Sequence, residues 1–168
     1  MHTVTIPAPT VNRIPKTKGG FKKKANGKRA DPVARPIFLN ANQRPSHHQK
    51  ANWTALWREA GKNAAIEASL PSRDGFFFVV ATIHLPREVL YDAANYYPTI
   101  KACLDGIITD HKFLPDDSNE HILGPLHVKG AKAKNGMGGV VIDFYDMEVS
   151  VDREVLMERL GAFRSMGY

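Results

Sequence analysis

Apolar and polar positions along the chain fall into blocks with distinct periods. Across 48–68, Trp53, Leu56, Trp57, Ala60 and Ala64 recur at i, i+3, i+4, i+7 and i+11, one face of a 3.6-residue period, which predicts an amphipathic helix. Arg58 and Lys62 point away from that face, and Ser46 stands ready to cap it with Gln49 as capping-box partner. Residues 76–85 (FFFVVATIHL) are nearly continuous in apolar, aromatic and β-branched character, so they predict a central strand covered on both faces. A second helical stripe, Ile100, Cys103, Leu104, Ile107 and Ile108, follows at i, i+3, i+4, i+7 and i+8, with Pro98 in its first turn. Residues 119–128 predict a strand interrupted at Gly124-Pro125. Residues 139–149 predict another, with Val141, Asp143, Tyr145 and Met147 facing opposite to Ile142, Phe144 and Asp146. Val155, Leu156, Leu160 and Phe163 predict a last helix over 152–164, capped by Ser150 or Asp152. The sum is an α+β domain over 36–168: a small mixed sheet packed against two or three helices. Residues 1–35, rich in Lys, Gly and Pro, predict a basic, disordered arm, although 2–7 alternate weakly enough to pair at a sheet edge.

Charge sharpens that division. The chain carries a net +6, but residues 1–50 hold 11 Lys/Arg against one Asp while residues 51–168 hold 12 against 16 Asp/Glu, giving +10 and −4. A basic front on a mildly acidic body suits a polyanionic partner, since displacing counterions from a phosphate backbone drives association. No apolar run approaches the ~18 residues of a membrane span, and the start lacks the apolar core of a secretory peptide. The single cysteine, Cys103, lies on the second stripe, which predicts a core thiol in a reducing, cytoplasmic setting.

Several chemistries are excluded by spacing. Residues 130–139 predict a flexible, basic, hairpin-like loop, whose glycines lack the GxxxxGK[ST] order of a nucleotide-binding loop. Seven histidines and one cysteine show no short-spaced pairs suited to structural zinc, and no serine has a GxSxG context. What remains is acidic: Asp92 before the second helix, Asp105 on it, and Asp116-Asp117 in the turn beyond. A helix of this length spans ~16 Å, so its two ends meet only if neighbouring strands bring them together. If they meet, the oxygens call for a divalent cation, Mg²⁺ or Mn²⁺, with Asn95 orienting water and Lys101 stabilising phosphoryl charge. The plainer reading keeps the aspartates as turn formers and Lys101–Asp105 as an i,i+4 surface pair.

The run from Asp92-Ala93-Ala94-Asn95, through Lys101-Ala102-Cys103-Leu104-Asp105, to Leu114-Pro115-Asp116-Asp117 resembles the core of the RusA-type Holliday junction resolvases, whose signature is D-x-D-N, a K-A-x-x-D helix and a D-D pair. The resemblance covers roughly 76–128, with a looser likeness around 42–57. It implies a homodimeric, Mg²⁺-dependent endonuclease of branched DNA, using Mn²⁺ as an alternative ion. Asp92, Asp117, Asp116 and Asp105 would be the metal ligands, and Asp92, Asp117, Lys101 and Asn95 the catalytic set. The basic arm lies outside the resemblance; on charge, Lys22, Lys23, Lys24, Arg29, Arg44, His47, His48, Arg87, Lys132 and Lys134 would bind nucleic acid. The chain departs from the pattern at Ala94, where the family has its middle aspartate, and between Asn95 and Lys101, where it is about three residues longer. A methyl group cannot ligate a metal, so Asp116, Asp105 or Glu88 substitutes, or the site holds metal weakly, or the chain is a degraded enzyme that still binds branched DNA.

Overall fold

A computed structural model describes residues 1–13, 16–17, 20–21, 23–26 and 28–147. Lys22 and the helix expected over 152–164 lie outside the described residues. In chain order come five short strands: β1 (His2–Pro7), β2 (Thr10–Arg13), β3 (Lys16–Thr17), β4 (Gly20–Phe21) and β5 (Val33–Pro36). The helix α1 (His47–Glu67), the strand β6 (Phe77–His84) and the helix α2 (Tyr97–Asp105) follow, then the strands β7 (Ile122–Lys129) and β8 (Gly139–Asp146). A 3₁₀ turn over Ala93–Tyr96 leads into α2, and a π-helical turn over Gly106–Asp110 extends it. This is a small α+β domain with a mixed four-stranded sheet and two helical segments.

Sheet order is β1-β8-β6-β7. β8 runs antiparallel to both its neighbours, and β7 runs parallel to β6. Alternation does what the pleat requires. Val4, Ile6, Phe77, Val79, Ala81, Ile83, Val140, Ile142 and Phe144 are buried in one cluster with Trp57, Ile100, Cys103, Leu104, Ile107 and Ile108 from the helices. All five residues of the second stripe are therefore core. Burial also raises the pKa of the Cys103 thiol, which keeps it protonated and inert.

Three expectations need correction. β6 is interior to the sheet, but its burial alternates: Phe78, Val80, Thr82 and His84 are only half-buried, because both helices pack on the opposite face. Residues 2–7 pair at a sheet edge, as their alternation allowed, so the stretch drawn as an arm over 1–35 leaves the sheet only after β1. β1 forms the sheet's edge beside β8, from His2↔Phe144 to Pro7↔Gly139, and its Val4 and Ile6 are fully buried. The loop after β7 is no hairpin, since β6 lies between β7 and β8. It crosses the end of β6 instead, where Gly130 N donates to Ile83 O at 2.8 Å and Ala133 N to Leu85 O at 2.9 Å.

Local signals hold where the physics is local. The capping box at Ser46 and Gln49 forms in both directions. The break at Gly124-Pro125 is a register shift opposite Val79. There Gly124 has φ +108°, and a Cβ would lie 2.8 Å from the Val79 carbonyl oxygen, so only glycine fits without strain. Among the described residues no helix is long and apolar enough to cross a membrane.

Candidate functional site

α2 and the turn after it gather three of the expected site residues. Lys101 projects from the exposed side of α2, with Asp105 one helical turn on. Its ammonium donates to Asp105 Oδ1 at 2.6 Å and also to Asp117 Oδ2 across the following turn. Burial pulls the Lys101 pKa down, but hydrogen bonds and charge from Asp105 and Asp117 more than offset this, leaving it above the ordinary lysine value. Lys101 is thus a permanent cation joining the end of α2 to the turn carrying Asp117.

The other acids are occupied differently. Asp92 caps the 3₁₀ turn, its Oδ1 accepting from Ala94 N at 2.9 Å, and its charge reaches His127 on β7. Asp116 accepts from Ser118 N at 2.8 Å, an Asx turn of the kind that makes aspartate common in such loops. The bonds from Ser118 hold its pKa below the usual carboxylate range. Glu88 is exposed in the segment before Tyr91. Asn95 lies in the 3₁₀ turn, where its carbonyl oxygen accepts from Ala41 N at 2.7 Å. Ala94 is exposed beside Asp92. Among the described residues no three His, Cys, Asp or Glu side chains are grouped so as to hold one metal ion. Asp92, Asp105, Asp116 and Asp117 are therefore not gathered as the four ligands of one ion. The acids that do converge, Asp105 and Asp117, already share a lysine.

The expected nucleic-acid contacts lie in three places. Lys23, Lys24 and Arg29 belong to a ribbon that leaves the sheet after β1. β2 pairs with β5, β3 with β4, and Lys23 bridges Arg29. Lys24 pairs with Asp31 at 2.8 Å. The ribbon is moored at its base, where the Arg13 guanidinium lies 5.2 Å from the centre of the Trp53 ring. Arg44, His47 and His48 are exposed at the entry to α1. Arg87 and Lys132 border one shallow depression beside Tyr91, and Lys134 is exposed in the loop after β7.

Two features carry no clear mark in the sequence. Arg58 forms a two-pronged ion pair with Asp110, Nε to Oδ2 at 2.6 Å and Nη2 to Oδ1 at 2.7 Å. The hydrogen bond from Arg58 holds Asp110 below the usual carboxylate range. Tyr97 sits beside the apolar stripe by periodicity yet is 55% exposed. It lines a cleft of about 290 Å³ with Arg44 and Lys50. No protein-family model matches the chain, and no curated protein matches it.

Proposed function

We propose that this protein is a nucleic-acid-binding protein that engages branched DNA through phosphate contacts, without cutting it. One observation carries the reading: the ribbon between β1 and α1. Residues 10–36 hold nine Lys/Arg against one Asp, and Lys23, Lys24, Lys28, Arg29 and Arg35 are all exposed. A two-stranded ribbon is one of the shapes that a major groove admits. Its charge supplies sequence-independent affinity, and phosphate contacts fix register without reading bases.

A second reading, Mg²⁺- or Mn²⁺-dependent cleavage by a homodimer, is favoured by one specific grouping. Lys101, Asp105 and Asp117 stand together in the order of the resolvase-like motif. Against it stand Ala94 in place of the middle aspartate and the engagement of both carboxylates by lysine.

The two readings part on one experiment. Purified protein is incubated with an end-labelled four-way junction in EDTA, Mg²⁺ or Mn²⁺, alongside the Asp117→Asn variant. The expected result is a shifted complex in all three buffers, weaker with Mg²⁺ or Mn²⁺ because divalent counterions compete for the phosphates, no nicks in any of them, and binding by Asp117→Asn within about twofold of the parent. Metal-dependent, paired nicks that vanish in Asp117→Asn would establish the nuclease instead. Absence of any complex at low salt would overturn both.

A further inference from the structure

We propose that the cleft between the entry to α1 and the start of α2 is a subsite for one unpaired nucleotide of a bound DNA strand. The inference rests on the reading of the chain as a nucleic-acid-binding protein and adds where, and to which part of the DNA, the protein is selective.

The cleft of about 290 Å³ is lined by Asn40, Gln43, Arg44, Lys50 and Tyr97, among others. That volume is at the small end of ligand sites, which run ~300–1,000 Å³. It has room for a single nucleoside unit but not for a base pair. Its wall is fixed from behind. The buried Thr99 hydroxyl donates to Leu39 O and accepts from Leu39 N, both at 2.8 Å, and Ala41 N donates to Asn95 O. Asn40 Oδ1 accepts from Asn42 N at 2.8 Å, which shapes the turn at the rim. A wall clamped in this way does not have to be ordered on binding.

Three lining groups are left with unspent capacity. Tyr97 is an exposed ring that makes no ring contact among the described residues, and an exposed aromatic face is what a splayed-out base stacks on. Arg44 and Lys50 have no acidic partner among the described residues. The first turn of α1 contains no acidic residue either, although the positive end of a helix favours one there. Arg44 and Lys50 therefore crowd a helix end that already favours anions, so a phosphate would relieve that repulsion. Asn40 and Gln43 bring amides that can donate to and accept from a base edge. Aromatic face, two cations and amides within one nucleoside-sized cleft match the parts of a nucleotide. A base inside a duplex cannot reach such a face without leaving its stack, so the cleft selects unpaired DNA.

The test uses the full chain and fluorescence anisotropy on two labelled probes, a single-stranded oligothymidylate and a blunt duplex of equal length. Tyr97→Ala is expected to weaken single-strand binding about tenfold, the effect of losing one stacked base, and to leave duplex binding within twofold. Tyr97→Phe should bind like the parent, since the ring and not the hydroxyl is used. Arg44→Gln with Lys50→Gln should weaken single-strand binding and make its salt dependence shallower by about one to two counterions. If the parent binds single strands and Tyr97→Ala binds them equally well, or loses both probes in proportion, the subsite is disproved while nucleic-acid binding stands. If the parent binds a four-way junction but neither probe, the subsite is likewise disproved while nucleic-acid binding stands; should it bind neither probe nor the junction, the functional reading itself falls. The cleft is then judged alone by ¹H–¹⁵N NMR with thymidine monophosphate, where amide shifts absent around Arg44, Lys50 and Tyr97 would overturn it.

Discussion

Asp92 illustrates how far a residue type can be read before its neighbours are known. An aspartate following an apolar strand and preceding a helix is legible as a turn or site residue, and both readings survive at the level of sequence. The structure commits its carboxylate to the Ala94 amide and lets its charge act on His127, a partner 35 positions on that no spacing rule connects to it. Burial lowers the His127 pKa, and Asp92 opposes this. Because the unfolded chain takes up the proton first, the neutral imidazole contributes its full share of stability above about pH 6.5. That contribution fades as pH falls through the depressed folded value. Asp92→Asn removes the opposing charge, so the His127 pKa followed by imidazole NMR titration should fall further and the acid-sensitive window should extend lower. An unchanged or raised value would mean that the carboxylate does not face the ring. Lys101 and Asp105 were legible as a pair from their i,i+4 spacing, whereas the third member, Asp117, depends on how the chain turns after Phe113.

At the scale of elements, the two apolar stripes placed α1 and α2 well because a 3.6-residue period is a local property of the chain. What the period could not convey is how closely the helices cross. Gly61 and Gly106 are both buried at that crossing. A Cβ at Gly61 would lie 2.5 Å from the Cys103 carbonyl oxygen, and one at Gly106 would collide with the Arg58 carbonyl. Both obstacles are backbone, which cannot rotate aside as a side chain can. The Arg58–Asp110 pair closes the same crossing from its exposed edge. Gly106→Ala should therefore cost at least the ~1–3 kcal/mol typical of overpacking, lowering the urea midpoint and Tm by several degrees. Asn63→Ala, on the exposed side of α1, should stay within about 0.5 kcal/mol. Equal stability of the two variants would mean that the helices slide apart freely, and the crossing would lose its claim to position Lys101 and Asp105. The strand β6 failed differently. Continuous apolar character cannot distinguish a strand covered twice from one covered once, because Phe78 and Val80 satisfy either environment.

For the whole molecule, the boundary drawn at residue 35 followed charge, but the fold cuts the chain elsewhere. The alternation of 2–7 hinted at a sheet edge, but Val4 and Ile6 belong to the core only because β8 lies beside them, a partner about 140 positions away that no local pattern names. The basic region is thus an excursion between a strand of the sheet and a helix on it, tethered at both ends, with Arg13 on Trp53 at its root. Tethering lowers the conformational freedom that a loose tail would lose on binding, so the ribbon can contribute more affinity per cation than an equally charged tail. It also makes the ribbon separable. Replacing 14–32 by Asn-Gly joins Arg13 to Val33, which already face each other at the end of the β2–β5 ladder, through a two-residue turn suited to a hairpin. The excision removes seven Lys/Arg and one Asp and leaves β1, the sheet and both helices intact. Tm should move by only a few degrees, while affinity for a four-way junction at low salt should fall at least tenfold. The slope of log affinity against log salt should become shallower by up to about six, the limit set by ~0.9 per phosphate contact. A shortened chain that folds and binds the junction with the parent's slope would transfer the binding surface to the body, where the entry of α1 and the loop after β7 also carry exposed cations.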